Sequence, residues 1–101
     1  MLRHVVMWKV KEEALGMKKP ALLTEFKKKL EGLVGLVPEI RSLQVSLNTV
    51  PGEFASDIVL VSDFDDAAAL KRYTENPDHL KVVDFVKQVM SERRVVDSEH
   101  A

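Results

Sequence analysis

Hydrophobic positions alternate from the second residue of the chain: Leu2, His4, Val6, Trp8 and Val10 fall on one side of an extended segment, and Arg3, Val5, Met7 and Lys9 on the other. This two-residue period predicts a strand over 2–10. Val5 and Met7 also put apolar groups on the second face, so both faces need cover. The polar stretch KEEALGMKKP reads as a loop or a ragged helix start. From Pro20 to Val34 the period changes to that of a helix, with Leu22, Leu23, Phe26, Leu30, Leu33 and Val34 on one stripe and Lys27, Lys28, Lys29 and Glu31 opposite. Gly32 and Gly35 weaken its end and Pro38 stops it.

Alternation returns over 39–50, which predicts a second strand, and PGEFAS then reads as a turn. DIVLVSDF, residues 57–64, is apolar on both faces through Ile58, Val59, Leu60 and Val61 and predicts a central third strand. Asp65 is the expected cap of a short helix, DDAAALKRYTEN, in which Ala67, Ala68, Ala69 and Leu70 favour helix and Tyr73 lies near the end. A second helix begins at Pro77. Asn76 is a good N-cap, proline fits the first helical position where its missing N–H is not needed, and Asp78 places a negative charge in the first turn. Its apolar stripe includes Leu80, Val83, Phe85, Val86, Val89 and Met90. RRVVD, residues 93–97, predicts a short fourth strand, followed by a polar tail, SEHA, expected to be mobile.

The order is strand, helix, strand, strand, helix in two pieces, strand. That is an α+β, ferredoxin-like βαββαβ subunit with a four-stranded antiparallel sheet. Both crossovers place helices on the same face, and the apolar groups on the second face then call for a partner. A homodimer through the sheet face is the expectation.

Composition narrows the function. The 101 residues make one domain spanning 1–101, with 46% hydrophobic and 31% charged residues, as in an ordinary soluble globular protein. Fifteen basic against sixteen acidic residues provide no bulk attraction to nucleic acid or an anionic membrane. The absence of cysteine excludes disulfides, thiolate metal sites and a cysteine nucleophile, and suits a reducing cytoplasm. The short apolar run at the N-terminus, broken by Lys9, predicts neither a signal peptide nor a membrane span. No histidine pair has helical i, i+4 spacing, so no metal site is expected. His79, in the first turn of the Pro77 helix, meets the positive end of the helix dipole, which favours the neutral imidazole that a general base needs. The plainer reading is a partly exposed first-turn residue.

Three stretches resemble the stress-responsive A/B barrel domain (Dabb) family of dimeric α+β barrel proteins: HVVMWKVK at the start, DIVLVSDFDD in the middle, and YTENPDHLKVVDFV followed by RRVVD. The resemblance covers nearly the whole chain and implies a ferredoxin-like subunit whose sheet packs on that of its twin. Most members have no assigned reaction. A plant member, olivetolic acid cyclase, performs a cofactor-independent intramolecular aldol condensation. Its catalytic tyrosine and histidine match Tyr73 and His79, and its early-strand histidine matches His4. A further pocket histidine falls at Asp57, and the histidine that commonly precedes the proline is Asn76, so the pocket polarity differs.

The resemblance thus implies a small apolar pocket with His79 as base, Tyr73 as oxyanion donor and His4 as an orienting or second donor group, without cofactor. Asp57 and Trp8 are the candidate substrate-binding residues. Against this stand plainer assignments: Tyr73 as a helix-end aromatic, His4 as a core histidine, Asp57 as a strand-entry residue and Trp8 as core or interface filler. Three functions remain open at this point: cyclase-like carbon-acid chemistry on a small organic ligand, a cofactor-independent monooxygenase, and a non-catalytic binding or stress-associated homo-oligomeric protein.

Overall fold

A computed structural model describes residues 1–100. In chain order the elements are β1 (Leu2–Val10), β2 (Glu13–Ala14), β3 (Met17–Lys18), α1 (Lys19–Glu31), β4 (Ser42–Leu47), β5 (Ile58–Phe64), α2 (Ala67–Glu75), α3 (Pro77–Val89) and β6 (Met90–Glu99). The four long strands form one sheet in the order β4-β5-β1-β6, each neighbouring pair antiparallel. This is the ferredoxin-like arrangement that the element order implies.

The alternation read in β1 corresponds to two physical faces. Leu2, His4, Val6, Trp8 and Val10 are all buried. Val6, Trp8 and Val10 join Ile58, Leu60 and Phe64 of β5 in a core closed by Leu22, Phe26 and Leu30 of α1 and by Val82, Phe85, Val86 and Val89 of α3. Phe26 is fully buried and ties three elements together. Its ring lies 4.9 Å from that of Trp8 on β1 and 6.0 Å, edge-on, from that of Phe85 on α3. Aromatic pairs at such distances add to the area they bury, so this contact helps fix how both helices sit on the sheet.

The opposite face carries a different pattern. Val5 stands between Val61 of β5 and Val96 of β6, and Met7 stands opposite Val59. Met7 and Val96 remain exposed, at 40% and 61%. Polar pairs rim this apolar strip. Asp63 accepts from Arg3 Nε at 3.0 Å, from Ser42 Oγ at 2.8 Å and from His100 Nε2 at 3.0 Å, while Lys9 pairs with Glu92.

Several sequence expectations change. KEEALGMKKP is not a loop: it forms the β2–β3 hairpin, whose central residues Leu15 and Gly16 both have positive φ, 53° and 74°, and only its last two residues, Lys19 and Pro20, start α1. A two-residue hairpin turn needs such angles, and leucine adopts them only under strain. α1 ends at Glu31 rather than Val34, and β4 is six residues rather than a strand over 39–50. Leu33 and Val37 still reach the core from the turns after α1. Asp66, not Asp65, caps α2 by accepting from the Ala69 N–H, because Asp65 is engaged by Arg41. Leu80 is half exposed, and Val82 takes its place in the buried stripe of α3. The fourth strand is twice as long as RRVVD, and the tail is held rather than mobile through His100: Leu2 pairs with Glu99 and Arg3 with Ser98, and the His100 N–H donates to the Met1 carbonyl. Ala101 lies outside the described residues.

Candidate functional site

The geometry of the site starts at the break between the two helices. Asn76 has extended backbone angles, φ −63° and ψ 132°, so it ends α2 and caps α3 at once, its side chain accepting from the Asp78 N–H at 2.8 Å. Proline at the next position holds Asn76 out of the helical region. The chain therefore turns between Tyr73, in the last turn of α2, and His79, in the first turn of α3. Their rings come together at 4.2 Å with a 43° tilt. Tyr73 is wedged against Phe64 at 4.9 Å and stands edge-on to His4 at 6.2 Å. His4 comes from β1, where the alternation places it on the helix side.

These three residues line one cavity of about 250 Å³ between the sheet and α3. Its walls are otherwise apolar, formed mainly by Val6, Trp8, Leu60, Val82 and Val86. Lys87 and Arg93 complete the lining, and it contains no acidic residue. Of the expected site residues, the structure thus gathers His4, Trp8, Tyr73 and His79 and leaves Asp57 outside. The Asp57 carboxylate instead accepts from the Val10 N–H at 2.8 Å and pairs with Lys19 Nζ at 3.1 Å, tying the end of β1 to the start of α1. Trp8 packs its indole in the core, and its buried Nε1–H has no partner among the described residues.

Hydrogen bonds set the protonation pattern. His79 Nδ1 lies 3.2 Å from the Thr74 carbonyl, which only accepts, so Nδ1 carries the proton and Nε2 of the neutral ring presents a lone pair. Burial pushes the His79 pKa below its ordinary value; the Thr74 bond opposes this, and the electrostatic influence of His4 and Arg93 adds to it. The helix start had suggested a neutral imidazole, and burial is the main cause found. Burial also pushes the Tyr73 hydroxyl up to about 12, with Arg93 opposing. Tyr73 therefore remains a donor throughout the neutral range. Its hydroxyl has no hydrogen-bond partner among the described residues, and neither has His79 Nε2.

Two residues that the sequence reading did not single out belong to the same site. Asp97 faces His4 across the β1–β6 ladder and binds His4 Nδ1 through its carboxylate, which fixes the ring and turns Nε2 the other way. Arg93 faces Trp8 in the same register. The inward alternation of Arg93, Val95 and Asp97 within RRVVD was the available signal.

The arrangement joins a neutral imidazole lone pair and a protonated phenol at the wall of a small apolar cavity. A group of this kind can remove a proton beside a carbonyl and donate to the oxyanion that forms. No cluster of metal-ligating side chains occurs among the described residues, and no helix among them is long and apolar enough to cross a membrane.

Fold and site together define a ferredoxin-like α+β domain with a histidine–tyrosine cavity beneath its helices. The chain belongs to the stress responsive A/B barrel domain family (Dabb), which it matches over residues 2–100. An uncharacterized protein of Streptomyces coelicolor is 33% identical over 79 residues, 78% of this chain and 79% of that one. A dimeric protein of unknown function and ferredoxin-like fold from Bacteroides fragilis superposes with a TM-score of 0.86 at 29% identity, over 98% of this chain and 95% of that one. The hydroxynitrile lyase of Passiflora edulis shares the fold, with a TM-score of 0.82 at 14% identity over 96% and 90% of the two chains.

Proposed function

We propose that the cavity binds a small organic molecule and performs cofactor-independent carbon-acid chemistry of the polyketide-cyclase kind, in a homodimer formed through the open sheet face. The observation that carries the chemistry is the pairing of His79 and Tyr73, 4.2 Å apart, with Nε2 and the hydroxyl both lacking partners among the described residues beside an apolar cavity. In the proposed reaction His79 Nε2 removes a proton from the carbon next to a carbonyl. The bonding electrons move onto the carbonyl oxygen, which accepts a hydrogen bond from Tyr73. The enolate carbon attacks a second carbonyl of the same molecule, and the resulting alkoxide regains the proton from His79. No redox partner is needed. Asp97 holds His4 beside the tyrosine ring, where His4 acts as a positioning residue.

The homodimer rests on the apolar strip of Val5, Met7, Val59, Val61 and Val96, and on the dimeric state of the Bacteroides fragilis neighbour. The Passiflora edulis lyase supports the reading at the level of architecture alone. Incubation with a 3,5,7-trioxo acid, in which the C2 carbanion can reach the C7 carbonyl and close a six-membered ring, tests the chemistry. His79→Ala should abolish turnover and leave the dimer intact, as judged by light scattering. Turnover unchanged by this substitution would refute the reaction.

A further inference from the structure

The arginines of this chain are not used alike. Arg3 pairs with Asp63, Arg41 with Asp65, Arg72 with Glu39 and Arg94 with Glu92. Arg93 has no carboxylate partner among the described residues, and it is the arginine that lines the cavity. The acidic groups nearest in the chain are committed elsewhere. Asp97, on the same face of β6, holds His4, and Glu92 lies on the other face with Lys9 and Arg94. Lys87, from α3, is a second cation at the same cavity and also has no carboxylate partner among the described residues. The cavity therefore combines apolar walls with two cations and no acid. The influence of Arg93 on both Tyr73 and His79 places it within electrostatic reach of the reacting groups.

We infer that the ligand of this cavity is a small carboxylic acid, bound with its carboxylate on Arg93, assisted by Lys87, and its apolar body against Val6, Val82 and Val86. The planar guanidinium matches a carboxylate through two parallel N–H donors, which a neutral amide of the same shape cannot match. The volume, about 250 Å³, lies just below the usual range of ligand pockets and limits the body to a short chain or a single ring. This deepens the proposed reaction by naming its substrate class. It rests on that reading only in placing the far end of the acid at Tyr73 and His79.

Calorimetric titration with hexanoate and with hexanamide at pH 7.5 isolates the charge, because the two have the same length and apolar body. The wild-type protein should prefer hexanoate by about tenfold, the effect of one partly exposed charge-assisted contact. Arg93→Met, which retains the apolar stem, should reduce the preference to about twofold or less, and Lys87→Met should reduce it less. Circular dichroism confirms that each variant is folded. Equal binding of the two ligands by the wild-type protein, no binding of hexanoate, or a preference that survives Arg93→Met overturns the inference. The titration involves no turnover. A failure of the carbon-acid chemistry would therefore be distinct from a failure of carboxylate recognition.

Discussion

Tyr73→Phe separates catalysis from stability at this site. The ring of Tyr73 is 1% exposed and packs against Phe64 at 4.9 Å and His79 at 4.2 Å, contacts that phenylalanine keeps. The hydroxyl gives up no hydrogen bond among the described residues, so its removal orphans no partner there. Folding stability should change by less than about 0.5 kcal/mol. For a domain of this size that is a shift of no more than about 4 °C in Tm. Tyr73→Ala removes the ring as well and should cost about 3–5 kcal/mol, enough to unfold a marginal domain.

Activity should respond in a different proportion. Loss of one preorganised oxyanion donor reduces kcat by about 100- to 1,000-fold, or about 2.7–4 kcal/mol of transition-state stabilisation. Tyr73→Phe should therefore lose most of the turnover of a 3,5,7-trioxo acid while its calorimetric melting curve nearly overlays that of the wild type. Wild-type turnover in Tyr73→Phe would remove the tyrosine from the chemistry. A drop of more than about 1 kcal/mol in stability would show that the hydroxyl has a structural partner, and the assignment of a free donor at the cavity would fail.

The pH dependence follows from the opposite displacements of the two groups. The proposed reaction needs neutral His79 and protonated Tyr73, so kcat/KM should fall only as pH drops through a value below the ordinary histidine range, and should stay level on the alkaline side until Tyr73 ionises near 12. Stability carries the same sign for His79: with its folded pKa lowered, its contribution is complete above the unfolded value and is lost as pH falls through the folded one. An acid limb centred above the ordinary histidine value would contradict the burial argument. On the open sheet face, Val5→Glu puts a charge between Val61 and Val96 and should convert the dimer to monomers in light scattering. An unchanged mass would move the interface elsewhere.

Much of the fold was legible because the dominant signals are local. The two-residue period of β1 assigns His4 and Trp8 inward, and the Asn76–Pro77 pair marks a helix start that also proves to be the break between α2 and α3. The β2–β3 hairpin was missed because its turn is Leu15–Gly16, without the asparagine or aspartate that announces such turns. β6 was read as half its length because its ends, Met90–Glu92 and Ser98–Glu99, carry polar residues and gain strand structure from pairing with β1. At the site, the link of His4 to Tyr73 and His79 came from the family resemblance. Periodicity fixes the face a residue occupies but not which residues meet across the core. Asp57 illustrates the difference: the resemblance placed it in the pocket, while its carboxylate, held by Val10 and Lys19, secures the end of the sheet.

The charged half of the site depends on a bulge in β6. α3 passes directly into β6, and Met90 pairs with Val10, both on the helix side. The next aligned pair is Lys9 with Glu92, so Ser91 is an additional residue on β6 and the ladder bulges there. Were the ladder to continue from Val10–Met90 without a bulge, the pairing would run Lys9 with Ser91, Trp8 with Glu92, and His4 with Val96. Arg93 and Asp97 would then face the open side of the sheet, because a one-residue slip moves every side chain to the opposite face. With the bulge, Arg93 stands against Trp8 at the cavity and Asp97 against His4. The helix break brings Tyr73 and His79 together, and the bulge turns the charges of β6 toward them, which is how bulges commonly re-aim side chains. β6 is also the strand that the helices leave least covered, with its inward Val95 still 44% exposed, so the cation that would meet an incoming carboxylate lies along the open side of the cavity.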